Sequence, residues 1–191
     1  MRKHHAALQL LPCAVGAKRS ATGQEKIRAC RIRREKMSEE IRAMLIQDYP
    51  KVSVLWHKIP GFAIRSLDDS EKGVDRFLKR NPGLSVVAEE DGEIIGSILC
   101  GHDGRRGCLY HVCVDPAHRR RGIGTKMVVY AMEALKEEGI NKVSLIAFTR
   151  HDLGNAFWKK IGWTRREDLN YYDFVLNSEN IVRFVDRKSV V

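Results

Sequence analysis

Residues 109–129 constrain the fold more than any other part of the chain. An apolar, β-branched run (109–114) stops at Asp115-Pro116. An arginine- and glycine-rich turn, Arg119-Arg-Arg-Gly-Ile-Gly124, then opens a long amphipathic segment. A strand that feeds a glycine turn at a helix N-terminus is an anion site. The first N–H groups of the helix have no partner inside it, and the macrodipole adds positive potential there. Gly122 and Gly124 carry no Cβ, so phosphate oxygens can approach the main chain. The pattern predicts a pyrophosphate site.

Elimination narrows the ligand. A Walker loop requires Gly-Lys-Ser/Thr, whereas the order here is Gly124-Thr125-Lys126. A dinucleotide fingerprint requires a third small residue three positions after the second glycine, and Met127 stands there. What remains is Arg119-x-x-Gly122-x-Gly124, directly after Val114-Asp115-Pro116. For the hexapeptide alone, an ordinary glycine turn beside solvated arginines is the alternative. With its strand and helix, the pattern resembles the coenzyme A signature, Gln/Arg-x-x-Gly-x-Gly/Ala, of the GNAT family of N-acetyltransferases. A second segment, Ala156-Phe-Trp-Lys-Lys-Ile-Gly-Trp163, is similar to that family's (Phe/Leu)-Tyr-x-Lys-x-Gly-Phe segment. Pro60-Gly-Phe-Ala-Ile-Arg-Ser-Leu-Asp-Asp-Ser70 and Cys100-Gly-His-Asp-Gly-Arg-Arg-Gly107 resemble its bacterial YpeA-like group.

The local signals agree with such a fold. Residues 41–45 read as a strand, and a helix begins at Gln47-Asp48-Tyr49-Pro50, with Val52, Leu55 and Trp56 at helical spacing, to be broken by Pro60-Gly61. Several cap residues within 66–70 precede a second helix carrying Val74, Phe77 and Leu78, which stops at Asn81-Pro82-Gly83. Strands 85–89 and 94–100 flank the hairpin signal Asp91-Gly92, and 108–114 follows. A helix over 125–138 buries Met127, Val128, Ala131 and Leu135 and ends at Gly139. Strand 142–148, helix 155–162 and two last strands in 163–175 around Asn170 complete the list. The order β-α-α-β-β-β-α-β-α-β-β is that of the GNAT fold over about residues 40–177. The expected class is α/β (α+β), with a mixed, mostly antiparallel central sheet and helices on both faces.

Charge locates a boundary. The net charge is +10, yet residues 1–37 hold ten Lys/Arg and two acids, leaving 24 and 22 for the remainder. We therefore expect a basic, disordered N-terminal extension (1–37), a GNAT domain (38–178) and a C-terminal tail (179–191). The nearly neutral domain offers no basic patch to track a nucleic acid. No apolar run approaches the ~20 residues needed to span a bilayer. Five cysteines, Cys13, Cys30, Cys100, Cys108 and Cys113, form no Cys-x-x-Cys pair, so no metal site is expected, and reduced thiols suit a cytoplasmic protein.

The resemblance implies a co-substrate, acetyl-CoA, and an amine-bearing acceptor, either a small molecule or a protein amino group, attacked in a ternary complex by a monomer or homodimer. By the same resemblance, main-chain N–H groups of Arg119, Arg120, Arg121, Gly122, Ile123, Gly124 and Thr125 hold the coenzyme A pyrophosphate, with one or two of the arginines reaching phosphate. Val112, Cys113 and Val114 border the pantetheine arm, which lies in a splay between the fourth and fifth strands. Their side chains also read simply as core. Where many family members carry a tyrosine that protonates the thiolate, this chain has Trp158, whose indole N–H donates but is no general acid. Where relatives carry a pantetheine-contacting asparagine stands His151, with Asn155 near enough to take over that contact.

Catalytic candidates are Tyr171 and Tyr172 as acids and His111 as base, histidine being the side chain that titrates near neutral pH. Strand alternation sets His111 on the sheet face opposite Val112 and Val114. Glu89 and Glu90 are further bases. Each has a plainer reading, as packing tyrosines, a structural histidine or surface carboxylates, and family members that relay the proton through water need no dedicated base. The acceptor would lie between the first helical pair and the final strands, near Trp56, Phe62, Arg65, Ser66, Asp68, Asp69 and the Tyr171-Tyr172 segment. Two other classes stay open: a non-catalytic acyl-CoA sensor, which Trp158 suggests, and a ribosome- or nucleic-acid-associated module, which the basic tail suggests.

Overall fold

In the computed structural model, which describes residues 39–185, β3 (Val86–Glu90) and β4 (Glu93–His102) form an antiparallel hairpin. Asp91-Gly92 turns the chain, Asp91 at a φ of +52°, as a two-residue hairpin turn requires. β1 (Glu40–Ala43) pairs antiparallel with β3, and β5 (Gly107–Val114) antiparallel with β4. β6 (Val143–Leu145) adds in parallel at the far edge, giving the order β1-β3-β4-β5-β6. The sheet is mixed and mostly antiparallel, as the sequence leads one to expect.

Helices cover both faces because both faces of the strands are apolar. α1 (Tyr49–His57) and α2 (Glu71–Arg80) lie on one side. Val52, Leu55, Trp56 and Val74 bury there against Val87, Ile94, Leu99 and Cys113. α3 (Ile123–Glu137) covers the other side, where Ile123, Met127, Val128, Ala131 and Leu135 meet Val86, Ala88, Ile95, Ile98 and Leu109. α4 (Asp152–Lys160) joins that second layer through Phe157 and Trp158. Neighbours on one strand, such as Val86 and Val87, divide between the two cores, as a period of two dictates. Ser70 caps α2 by accepting from the Gly73 N–H at 3.1 Å.

Two expectations need correction. The strand expected over 142–148 is formed only at Val143–Leu145. The two strands expected within 163–175 are absent, and that stretch carries no regular element. β-propensity measures how a side chain suits a pleated, half-buried surface, and these residues have none: Tyr172 and Phe174 are 85 % and 87 % exposed. The last strand is instead β7 (Val182–Phe184), inside the stretch read as a tail. It pairs antiparallel with β2 (Ala63–Arg65), a short strand the sequence did not announce. Asn180 accepts from the Leu67 and Asp68 N–H groups, and Ser66 donates to the Glu179 carbonyl, which fastens the returning chain beside β2. The basic extension (1–37) lies outside the described residues. Among the described residues no helix is long and apolar enough to cross a membrane.

Arg42 on β1 ties three elements together. Its guanidinium donates to both Asp48 oxygens at 2.8 Å and to Glu89 on β3 at 2.7 Å. Burial raises the Asp48 pKa, but hydrogen bonds from Arg42 and the Leu45 N–H outweigh it and hold the carboxyl below its ordinary value. A depressed carboxyl stabilises the fold above its unfolded pKa, and that contribution vanishes as pH falls through the folded value. Asp48→Asn should therefore cost about 1–3 kcal/mol at pH 7 in urea unfolding. The gap from the parent should close as pH falls below about 4; an unchanged gap at pH 3 would show that the ion pair is not its source.

Candidate active site at the parting of the parallel strands

β6 pairs with β5 only through Gly107, Cys108 and Leu109. Beyond Leu145 the chain turns away, while β5 runs on to Val114. Along residues 110–114 the main-chain groups on that edge of β5 have no strand partner among the described residues. At the same place β5 carries a bulge. Ser97 pairs with Cys113 and Leu99 with Tyr110, so His111 and Val112 together face Ile98. His111 takes a φ of +48°, a left-handed conformation that histidine tolerates better than most residues.

The bulge interrupts alternation. Tyr110 packs edge-on against Phe77 of α2, its ring centroid 5.9 Å away, and His111, next in the chain, turns to the same face. There its ring lies 4.6 Å from Trp56 and 4.8 Å from Phe62. Val112 and Val114 pack toward α3, and Cys113 sits in the α1–α2 core. Asp69 Oδ1 stands 2.6 Å from His111 Nε2. A carboxylate only accepts, so Nε2 donates to it, and in a neutral imidazole with that hydrogen the lone pair is on Nδ1. Asp69 is itself fixed: Oδ2 accepts from the Arg65 N–H at 2.6 Å, and its carbonyl accepts from the Tyr49 hydroxyl at 2.9 Å. Sequence reading placed Asp69 at the acceptor and missed this pairing, since no local pattern links residues 42 apart.

The glycine turn lies at the other end of the same strand. Gly122, at a φ of +84°, is the N-cap of α3, and its carbonyl takes the first helical bond from Lys126. The amide groups of Ile123, Gly124 and Thr125 therefore face outward from the first turn. A Cβ on Gly124 would stand 3.3 Å from the Phe157 ring and 3.7 Å from Val114, so a larger side chain must displace α4 or β5. His111 lies on β5, and the turn from 119 follows that strand after the single helical turn Pro116–His118.

A family model described as the acetyltransferase (GNAT) family matches residues 40–163, which takes in both features. The chain belongs to the acetyltransferase (GNAT) family. An acetyltransferase of Sodalis glossinidius is 31% identical over 130 residues, covering 68% of this chain and 90% of that one. An acetyltransferase of Pectobacterium atrosepticum is 33% identical over 122 residues, covering 64% and 85%. Among solved structures, the PaiA N-acetyltransferase of Thermoplasma acidophilum, in complex with coenzyme A, shares the fold at a TM-score of 0.60 and 17% identity, covering 76% of this chain and 97% of that one. An aminoglycoside N-acetyltransferase in complex with CoA shares it at 0.57 and 17%, covering 72% and 95%.

Within this GNAT fold the remaining expected residues take separate places. Arg119 donates from Nε to the Val114 carbonyl at 3.1 Å, Arg121 pairs with Glu90, and Arg120 is exposed at a φ of +64°. Trp158 lies between Phe157 and Trp163, with centroids at 5.0 and 4.9 Å, in an aromatic cluster against the α3 core. Asn155 spends its amide donors on the carbonyls of Phe148, Thr149 and His151, which ties the loop after β6 to α4. His151 is exposed at the start of that helix. Tyr171 and Tyr172, 66% and 85% exposed, stand in the irregular stretch rather than on a strand. Glu89 and Glu90 are not free surface carboxylates: Arg42 holds the first and Arg121 the second.

Burial pushes the Cys113 thiol up to about 11 and Cys100 up to about 12, so neither is a thiolate near neutral pH. Iodoacetamide at pH 8 should modify the half-buried Cys108 while sparing Cys100 and Cys113 until urea unfolds the protein. Peptide mapping reads this directly, and rapid native labelling of Cys113 would contradict the packing.

Proposed function

We propose that this protein transfers an acetyl group from acetyl-CoA to a primary amine, of a small molecule or of a protein, by direct attack in a ternary complex. The parting of β5 from β6 beside the glycine turn carries the reading. It offers an edge of free main-chain groups for an extended amide-bearing arm, and an anion cradle one helix turn beyond for a pyrophosphate. The coenzyme A complexes among the fold neighbours support the same co-substrate. Use of acetyl-CoA suits a cytoplasmic setting.

His111 is the base in this reading. Its Nδ1 takes the proton of the acceptor ammonium, directly or through one water, while Asp69 holds the ring and favours the imidazolium that forms. The amine nitrogen then attacks the thioester carbonyl carbon. The C–N bond forms, the C–S bond breaks, and the thiolate takes a proton from solvent. Trp56 and Phe62 wall the histidine on the acceptor side. Asp68 is occupied by Asn180, so cation attraction by Asp68 and Asp69 is a smaller part of recognition than their sequence suggests.

Calorimetry with acetyl-CoA should show micromolar binding that Gly124→Glu abolishes, and thiol release with polyamines, amino acids or peptides should name the acceptor class. No binding by the folded parent protein would overturn the reading, while binding with no release from any acceptor would favour an acyl-CoA sensor. His111→Asn, which keeps a residue tolerant of the left-handed backbone, should lower kcat by about 10²–10⁴-fold with little change in KM for acetyl-CoA. Full activity in this variant would remove His111 from the mechanism.

A further inference from the structure

The glycine turn is fastened to the sheet from below. At the end of β3 the Glu90 side chain is 6% exposed and receives Arg121, with Nη1 donating to Oε2 at 2.9 Å and Nη2 to Oε1. His118 Nε2 stands 3.4 Å from the same Oε2. The other His118 nitrogen, Nδ1, is buried without a hydrogen-bond partner among the described residues. It lies 3.5 Å from Asp115 Oδ1, an oxygen that already accepts from the Ala117 N–H. Arg121 also lies 3.7 Å from Glu39, which Lys126 of α3 engages at 2.8 Å. Hydrogen bonds from Arg121 hold the Glu90 carboxyl below its ordinary pKa, so it is ionised at neutral pH.

One carboxylate thus takes two hydrogen bonds from Arg121 within the turn and stands 3.4 Å from His118 just before it. The three arginines divide accordingly. Arg119 bends back to the Val114 carbonyl, Arg121 points into the sheet, and Arg120 alone has no polar partner among the described residues. We propose that Glu90 is a positioning residue for the pyrophosphate loop, holding Arg121 and His118 so that the loop amides and Arg120 face the phosphates. The proposal rests on the acetyl-CoA reading above.

The test compares acetyl-CoA with S-acetylpantetheine, which keeps the thioester and arm but lacks the pyrophosphate. Glu90→Gln should lower the kcat/KM ratio of acetyl-CoA over S-acetylpantetheine by about tenfold. Glu90→Asp should restore part of it. Arg121→Ala should match Glu90→Gln, and the double variant should lose no more than either alone, whereas Arg120→Ala should add to both. A ratio unchanged or raised in Glu90→Gln would mean that Arg121 is a phosphate ligand which Glu90 restrains, and would overturn the proposal. Equal losses on both substrates would overturn it too, because they mark general damage. A parent protein that does not prefer acetyl-CoA to S-acetylpantetheine would overturn the coenzyme reading itself, and the loop proposal with it.

Discussion

The arrangement depends on one strand that is paired along its length on one side and for only three residues on the other. Buried backbone donors and acceptors must be paired, and a strand inside a sheet normally meets that demand through its two neighbours. β5 meets it through β4 on both sides of the His111–Val112 bulge, but through β6 only at Gly107–Leu109. The unmatched edge at 110–114 is stable only at a surface or against something that can hydrogen-bond to it. An extended chain of amides satisfies that condition, and a pantetheine arm is one.

The bulge at His111 turns this edge into a site by giving it two sides. Without the extra residue, strict alternation from Val112 and Val114 would leave His111 on the α1–α2 face and send Tyr110 to the α3 side. The left-handed backbone at His111 costs of order 1–3 kcal/mol. It is offset locally by the Asp69 hydrogen bond and by the stacking on Trp56 and Phe62. Asp69 is held in turn by Arg65 of β2, and β2 is held by β7, so residues near the C-terminal end fix the position of a side chain on β5. The anion cradle lies on the opposite layer. His111 and the glycine turn thus pack against different layers of the sheet.

What could be read from the sequence follows the range of the interaction responsible. The strand–turn–helix at 107–137 was legible because glycine spacing, Asp115-Pro116 and the amphipathic period are all local. The hairpin at Asp91-Gly92 and the cap at Ser70 were legible for the same reason. The Asp69–His111 and Glu90–Arg121 pairs were not, since nothing near any of these residues selects its partner. Arg121 in particular reads as a phosphate ligand beside Arg119 and Arg120, and only the buried Glu90 separates its role from theirs. Alternation set His111 opposite Val112 and Val114, but it could not reveal that Tyr110 shares the histidine's face, because a bulge leaves no mark in composition. The stretch 163–175 erred the other way. Its residues favour strands, but no edge in the described structure takes them.

Trp158 bears on which proton transfer the site must assist. Packed between Phe157 and Trp163, it is a structural indole and supplies no acid for the departing thiolate. That loss matters less than it first suggests. A thiol loses its proton near pH 8.5, so a thiolate leaves near neutral pH with modest help, whereas an alkylammonium holds its proton until about pH 10.4. For the amine acceptor we propose, the larger demand falls on the nucleophile, which is a cation at neutral pH and inert until it is deprotonated. A chain that kept only one of the two proton-transfer groups would do best to keep the base, and the Asp69–His111 pair is the one our proposal assigns to that task.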